Sequence, residues 1–205
     1  FADFFELAKR MDTQNITNVV IDAWNKDSLL KVSHVQYGPV RAFVLVPRVG
    51  NYSEIQELAK NIFDLNSIKR KQEEITRENS YIAIVDRSGH PQVASRIKKV
   101  LQENLKYKNV FTLSEYDQIS SEKTVAYDLT DGQKPFTLNE LVGKLPATAA
   151  YKTDASLTKV MRDKTADIIL VIGKDLISKY TMEEGTLDDL NKFNDEQEQE
   201  MFINK

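Results

Sequence analysis

The chain has 205 residues and no cysteine. Disulfide bonds, thiolate zinc sites and cysteine nucleophiles are therefore excluded together, although this absence does not fix the cellular compartment. Histidine is scarce as well. His34 and His90 lie far apart in the sequence, and neither has a metal ligand at helical spacing. We therefore predict no metal site.

Long apolar runs and common catalytic motifs are also missing. Phe43–Val46 and Ile168–Ile172 are among the longest apolar runs, far short of the roughly 20 residues that a membrane helix needs. No GxGxxG, P-loop, GxSxG, HExxH or paired-carboxylate pattern occurs, so we assign no catalytic residue and no nucleotide cofactor. The chain begins at Phe1 rather than at a methionine, and we expect a targeting segment upstream of it.

The composition is that of an ordinary globular protein, but the charge is unevenly distributed. Hydrophobic residues make up 41% and charged residues 29% of a chain whose net charge is −3. The segment 181–205 holds eight acidic residues against two lysines, so residues 1–180 carry a net charge of +3. A mildly basic body suits an anionic partner. It lacks the concentrated basic face typical of nucleic-acid-binding proteins, and no nucleic-acid partner is expected.

The stretch 81–105 predicts a strand, a tight turn and a helix. Tyr81–Val85 is an unbroken apolar run typical of a strand covered on both faces, and an apolar stripe from Val93 to Leu105 has helical spacing. Backbone N–H groups and the positive end of the helix dipole would point at the turn between them, where an anion could bind. The candidate ligand-binding residues are Asp86, Arg87, Ser88, Gly89, His90 and Arg96. Alternatively, the turn is only a capped connection with Ser88 as the helix N-cap.

Alternating strand and helix signals predict an α/β fold, α+β overall. A mixed strand/helix piece at 1–66 is followed by a charged linker or exposed helix extension at 67–79, a small α/β domain with a central mixed sheet at 80–180, and an acidic tail at 181–205. In the first piece we expect a helix at 1–11, a hairpin of residues 16–24 with 29–35, and a strand ending at Pro47.

Further elements of the α/β domain are predicted from turn and capping signals. Strands are expected at 110–113, 124–129 and 167–173, with an extended segment at 147–151 and one or two helical turns at 156–161. Capping boxes at 53–56 and 137–140 predict the starts of two helices. Asp86, Asp128, Asp131 and Asp175 lie near strand ends, and we interpret them as turn formers and caps rather than as catalytic groups.

Residues 80–176 resemble the LytR C-terminal domain, an α/β module that follows the catalytic domain in many LytR-CpsA-Psr proteins. Family members carry Asn-Gly-Ser-Gly between the first strand and helix, where this chain has Asp86-Arg87-Ser88-Gly89, so its first two turn residues depart from the pattern. They also end in an apolar strand and Gly-x-Asp, matched here by Gly173 and Asp175. Residues 1–64 are similar to the closing part of the LytR-CpsA-Psr catalytic domain, most clearly in VLVPRVGNYSEIQELAKNIF.

The resemblance implies an extracytoplasmic, non-catalytic part of a cell-envelope protein that attaches glycopolymers to peptidoglycan. It implies as partners a wall glycopolymer, peptidoglycan or an envelope protein, with membrane attachment only through a segment absent from this chain. The family's divalent metal and catalytic residues lie mainly before residue 1, so no cofactor is expected here. The family's label as a transcriptional regulator is not supported by any recognition helix. Two alternatives stay open: a phosphate-handling enzyme that uses the 86–90 turn, and a purely structural interaction module.

Overall fold

The computed structural model describes residues 17–25, 27–37, 40–90, 92–113, 119–151, 157 and 165–180. The predicted helix at 1–11, the acidic tail at 181–205 and most of the helical turns predicted at 156–161 lie outside the described residues. In chain order the elements are β1 Leu30–Tyr37, β2 Val40–Pro47, α1 Ser53–Lys60, α2 Leu65–Glu78, β3 Tyr81–Asp86, α3 Val93–Lys99, β4 Asn109–Leu113, β5 Val125–Asp128, α4 Pro135–Lys144, β6 Thr148–Ala150, β7 Ile168–Ile172 and α5 Ile177–Tyr180. A π-helical turn, Val100–Asn104, extends α3, and a 3₁₀ turn, Lys174–Leu176, precedes α5.

The predicted α/β fold with a mixed sheet is confirmed. The main sheet has the strand order β4-β3-β7-β5-β6. Strands β4, β3 and β7 are parallel, β5 runs antiparallel to β7, and β6 is parallel to β5. The carboxyl ends of β3 and β7 therefore meet at one edge of the sheet, together with the start of β5.

The apolar runs of β3 and β7 are explained by burial on both faces of the sheet. On one face, side chains such as Ile84 and Leu170 pack with Ile97 of α3 and Leu141 of α4. On the other face, Ala83, Val85, Ile169 and Val171 pack with Leu113 and Leu157. Since burying one such aliphatic side chain stabilises a fold by about 1.5–3 kcal/mol, these two strands form the energetic centre of the protein.

A separate two-stranded sheet lies before the main one, and its pairing differs from the prediction. Strand β1 pairs with β2 along its full length, from Leu30 opposite Pro47 to Tyr37 opposite Val40. Residues 17–24 contain no strand, so the expected pairing of 16–24 with 29–35 is wrong. Only two residues separate β1 from β2 in the sequence, and so short a connection favours pairing of these two strands over the more distant alternative.

The charged segment 67–79, predicted as a linker or exposed helix extension, lies almost entirely within α2. Ile75 of this helix is buried in the main core. Its Lys71 is ion-paired with Glu57 of α1, at 2.7 Å, and with Glu140 of α4. Lys71, within a charge-rich stretch that is typical of a linker, thus joins α2 to both α1 and α4.

Helix starts are capped by residues that the sequence patterns do not indicate. Neither capping box forms: the N–H of Ser53 donates to the Asn51 side chain at 2.8 Å, and no side chain of the 53–56 motif caps α1. At the start of α4, the carboxylate of Glu78 accepts the N–H groups of Phe136 and Thr137 at 2.9 and 2.7 Å. Glu78, which is 59 residues before Thr137 in the chain, therefore caps α4 in place of a local residue.

Gly173, directly after β7, lies against the backbone of the loop before β5. A Cβ atom at this position would lie 2.4 Å from the carbonyl carbon and 2.6 Å from the carbonyl oxygen of Lys123. The same loop backbone is held by hydrogen bonds at Ser121 and Thr124, so it cannot move away cheaply. The glycine of the Gly-x-Asp motif is therefore required for close backbone packing.

We predict that Gly173→Ala lowers the free energy of unfolding by about 1–3 kcal/mol, the usual cost of overpacking, measured by urea denaturation. Gly143→Ala in α4 is the matched control, because a Cβ atom at this position would meet no neighbouring group within 4 Å. The control should be neutral or stabilising by up to about 1 kcal/mol, as expected for glycine to alanine in a helix. Equal stability of the two variants would contradict this account.

Candidate functional site

The carboxyl edge of β3 and β7 is covered by the loop that leads into β5. The N–H of Ser121 donates to the carbonyl oxygen of Arg87 at 2.9 Å, and the N–H of Lys174 donates to the carbonyl oxygen of Ser121 at 2.9 Å. Asp175 accepts hydrogen bonds from the N–H and hydroxyl of Thr124, at 3.1 and 2.7 Å. The Asp of the Gly-x-Asp motif therefore fixes this loop across the strand ends.

The 86–90 turn is closed by its own side chains. One oxygen of Asp86 accepts both the N–H of Ser88, at 2.9 Å, and its hydroxyl, at 2.6 Å. The Ser88 hydroxyl oxygen in turn accepts the N–H of His90 at 3.1 Å. Gly89 has a φ of +77°, a conformation that favours glycine. Ser88 does not cap α3, whose N-cap is Gln92, so that part of the capping prediction is wrong.

The six predicted ligand-binding residues are divided between two places. Arg87 and Ser88 are buried, with 6% and 3% exposure, and Arg87 donates its N–H to the carbonyl oxygen of Ile172 at 3.0 Å. With Asp86, Gly89 and His90 they form the turn. Arg96 lies further along α3, where its guanidinium donates to the carbonyl oxygen of Tyr180 at 2.7 Å and to Gln92 at 3.2 Å. Whether the turn binds a ligand stays a prediction.

The remaining strand-end aspartates do not join this edge. Because β5 is antiparallel to β7, Asp128 at its end lies at the opposite edge, near Asp167. Asp128 accepts hydrogen bonds from Thr130 and Gly132 at 2.7–2.8 Å. Burial raises the pKa of this carboxyl, but these hydrogen bonds outweigh burial and hold the pKa below its ordinary value. Asp86, Asp128 and Asp175 thus act as turn formers and caps, as predicted.

A pocket of about 210 Å³ lies where the β1–β2 hairpin meets α3 and α5, and we call it the cationic pocket. Its cations are Lys31 of β1, Arg96 of α3 and Lys179 of α5, and its apolar floor includes Val46, Val100 and Tyr180. Among the described residues, no acidic side chain lines it. The arrangement suits an anionic group seated against an apolar surface.

Tyr180 holds the hairpin and α3 together at this pocket. Its hydroxyl donates to the carbonyl oxygen of Val49 at 2.6 Å. Burial raises the pKa of this phenol above its ordinary value, so it stays a neutral donor. Its ring lies against Gly50, where a Cβ atom would be 3.0 Å from the Tyr180 ring. The carbonyl oxygen of the same residue receives the Arg96 hydrogen bond, so the cation and the pocket wall are positioned together.

A second, larger concavity of about 450 Å³ lies between α1, α2 and α4. Four of its charged groups form one ion-paired cluster: Lys71 contacts Glu57 and Glu140, and Glu57 also contacts Lys144, whose side chain is only 5% exposed. The two acids and two lysines neutralise one another. This cluster joins three helices and has no excess charge for a ligand, so we assign it a structural role.

Sequence reasoning found Arg96 but missed Lys31 and Lys179 as its companions. The three residues belong to three elements that are distant in the sequence, and only the docking of the hairpin brings them together. The single signal was the positive charge of residues 1–180. Within the described ranges, no group of three or more potential ligands could hold a metal ion, and no helix is long and apolar enough to cross a bilayer.

Comparison with protein-family models, curated proteins and solved structures found no significant match to this chain.

We predict that acid removes the stabilisation that Glu57 provides. Burial raises the pKa of Glu57, but hydrogen bonds from Lys144 and Lys71 outweigh it and hold the pKa below its ordinary value of 4.5. The stabilisation is therefore complete above that value and is lost as the pH falls through the lower pKa of the folded protein. At pH 7, Glu57→Gln should lower the free energy of unfolding by about 1–3 kcal/mol.

Urea denaturation from neutral pH to pH 3 checks this, with Glu73→Gln as control because Glu73 is exposed on α2. The difference between wild type and Glu57→Gln should narrow below pH 4.5, whereas Glu73→Gln should follow the wild type throughout. A constant difference across this range would show that the carboxylate charge is not responsible.

Proposed function

We propose that this chain is a non-catalytic binding module of the cell envelope that holds an anionic wall glycopolymer. The observation that carries the proposal is the cationic pocket, in which Lys31, Arg96 and Lys179 surround an apolar floor without an acidic side chain among the described lining residues. Wall glycopolymers of the phosphate-linked kind present repeated negative charges. The pocket and the mildly basic body favour such a partner electrostatically.

The resemblance to the LytR-CpsA-Psr family supports the location outside the cytoplasm and the polymer as partner. The site chemistry supports binding rather than turnover. Asp86, Asp128 and Asp175, three carboxylates at or near strand ends, are all engaged in turn and loop hydrogen bonds. Asp86 and Asp175 share the carboxyl edge of β3 and β7, but each already accepts an N–H and a hydroxyl group of the protein. Asp128 lies at the opposite edge, so these carboxylates do not offer one substrate the unengaged pair that acid–base catalysis needs.

Arg96 is well suited to orient such a ligand. Hydrogen bonds that include those to the Tyr180 carbonyl oxygen and to Gln92 restrict the guanidinium. A restricted cation loses less conformational entropy on binding than a mobile one. Lys179 is exposed at the rim, where it supplies long-range attraction that salt screens.

Co-sedimentation with isolated peptidoglycan sacculi, with and without their anionic polymers, tests the proposal. The protein should bind only the polymer-bearing sacculi, and binding should weaken as salt is raised. The double variant Lys31→Gln/Lys179→Gln should weaken binding roughly two- to thirtyfold, because an exposed ion pair contributes about 0.2–1 kcal/mol.

The matched control is Lys98→Gln/Lys108→Gln, which removes the same charge from residues that do not line the cationic pocket. It should bind nearly as well as the wild type. Equal losses in both double variants would mean that only net charge matters. Binding to sacculi stripped of polymer would contradict the proposed ligand.

A further inference from the structure

The described structure ends at the wall of the cationic pocket. Lys179 and Tyr180 both line the pocket, and the carbonyl oxygen of Tyr180 is held by Arg96 at 2.7 Å. The chain continues from this point into the acidic segment 181–205, which carries a net charge of −6. The most acidic segment of the protein therefore begins beside a pocket lined by three cations.

We propose that the acidic segment 181–205 binds the cationic pocket of its own chain and competes there with the anionic ligand. The competition rests on the proposed function, whereas the contact itself does not. Glu183 and Glu184 are the first acids after the pocket wall. Since an extended chain spans about 3.3–3.6 Å per residue, both lie within roughly 10–15 Å of Tyr180 and can reach the cations.

The acidic segment is covalently tethered beside the pocket, and this tether favours its binding there. A short tether gives an effective concentration in the millimolar range, so even a weak carboxylate–cation contact is populated without any change in total concentration. An external polymer must displace the segment before it can bind. A polymer carries many charges and can contact several cations at once, so it displaces the segment more readily than a single small anion does. The segment would thus favour polymeric over monomeric anions.

The absence of cysteine allows a direct test on the full chain. Thr186→Cys introduces a single thiol for a nitroxide label, and the broadening of amide signals then reports which residues lie near the segment. Signals from Lys31 and Val46, which line the same pocket as Tyr180, should broaden strongly, and those of Thr148 in β6 should not. Broadening should fall when Glu183→Gln/Glu184→Gln is added, and fall less with Glu198→Gln/Glu200→Gln.

Broadening of Lys31 and Val46 that Glu183→Gln/Glu184→Gln leaves unchanged would overturn the proposal, because the tether at Tyr180 then accounts for it without any contact of the two acids. So would broadening that appears only when labelled chains are mixed with unlabelled, isotope-enriched ones, because the contact would then be between copies. The competition is measured with inorganic polyphosphate as probe: Glu183→Gln/Glu184→Gln should bind it about two- to fivefold more tightly than the wild type. Equal affinities would overturn the competition. If the broadening is seen but no variant binds polyphosphate, the internal contact stands and the proposed function fails.

Discussion

The burial of β3 and β7 on both faces is the constraint on which the rest of this structure depends. These two neighbouring parallel strands contain almost no polar side chain within their ladder, so the protein must supply an apolar layer above and below them. Helices α3 and α4 supply one layer, and a smaller cluster around Leu113 and Leu157 supplies the other. Polar residues are consequently concentrated at the strand ends, where they fix loops.

At two opposite edges of the sheet, aspartates hold loops by the same pattern of hydrogen bonds. At the carboxyl edge of β3 and β7, Asp86 and Asp175 each accept an N–H and a hydroxyl group. At the opposite edge, Asp128 does the same with Thr130. These aspartates near strand ends therefore stabilise the turns and loops that follow or precede the strands. Three cations, Lys31, Arg96 and Lys179, lie instead beside the hairpin, in the cationic pocket.

The parts of the fold that local patterns predict well are those that depend on short-range periodicity. The apolar runs of β3 and β7, the stripe of α3 and the position of Pro146 after α4 all place elements correctly. The errors concern long-range partners: Glu78 replaces a local cap for α4, and β2 replaces residues 16–24 as the partner of β1. The segment predicted as a linker or exposed helix extension is helical, and its Lys71 is ion-paired with α1 and α4.

The candidate site is less predictable than the fold for the same reason. Arg96 could be named from its place on α3, but no pattern links it to Lys31, which is 65 residues earlier, or to Lys179 near the end of the described chain. Glycine, serine and a helix start occur together in the 86–90 turn, a combination that indicates an anion site. Such turns also close on themselves, and the hydrogen bonds among Asp86, Ser88 and His90 do so here.

Amide chemical-shift mapping during titration with inorganic polyphosphate tests most directly the claim that anions bind at the hairpin and not at the turn. We expect shifts at Lys31, Ser33 and Lys179 that saturate together and diminish with added salt. Shifts centred on Ser88, Gly89 and His90, with the signals of the cationic pocket unchanged, would contradict it.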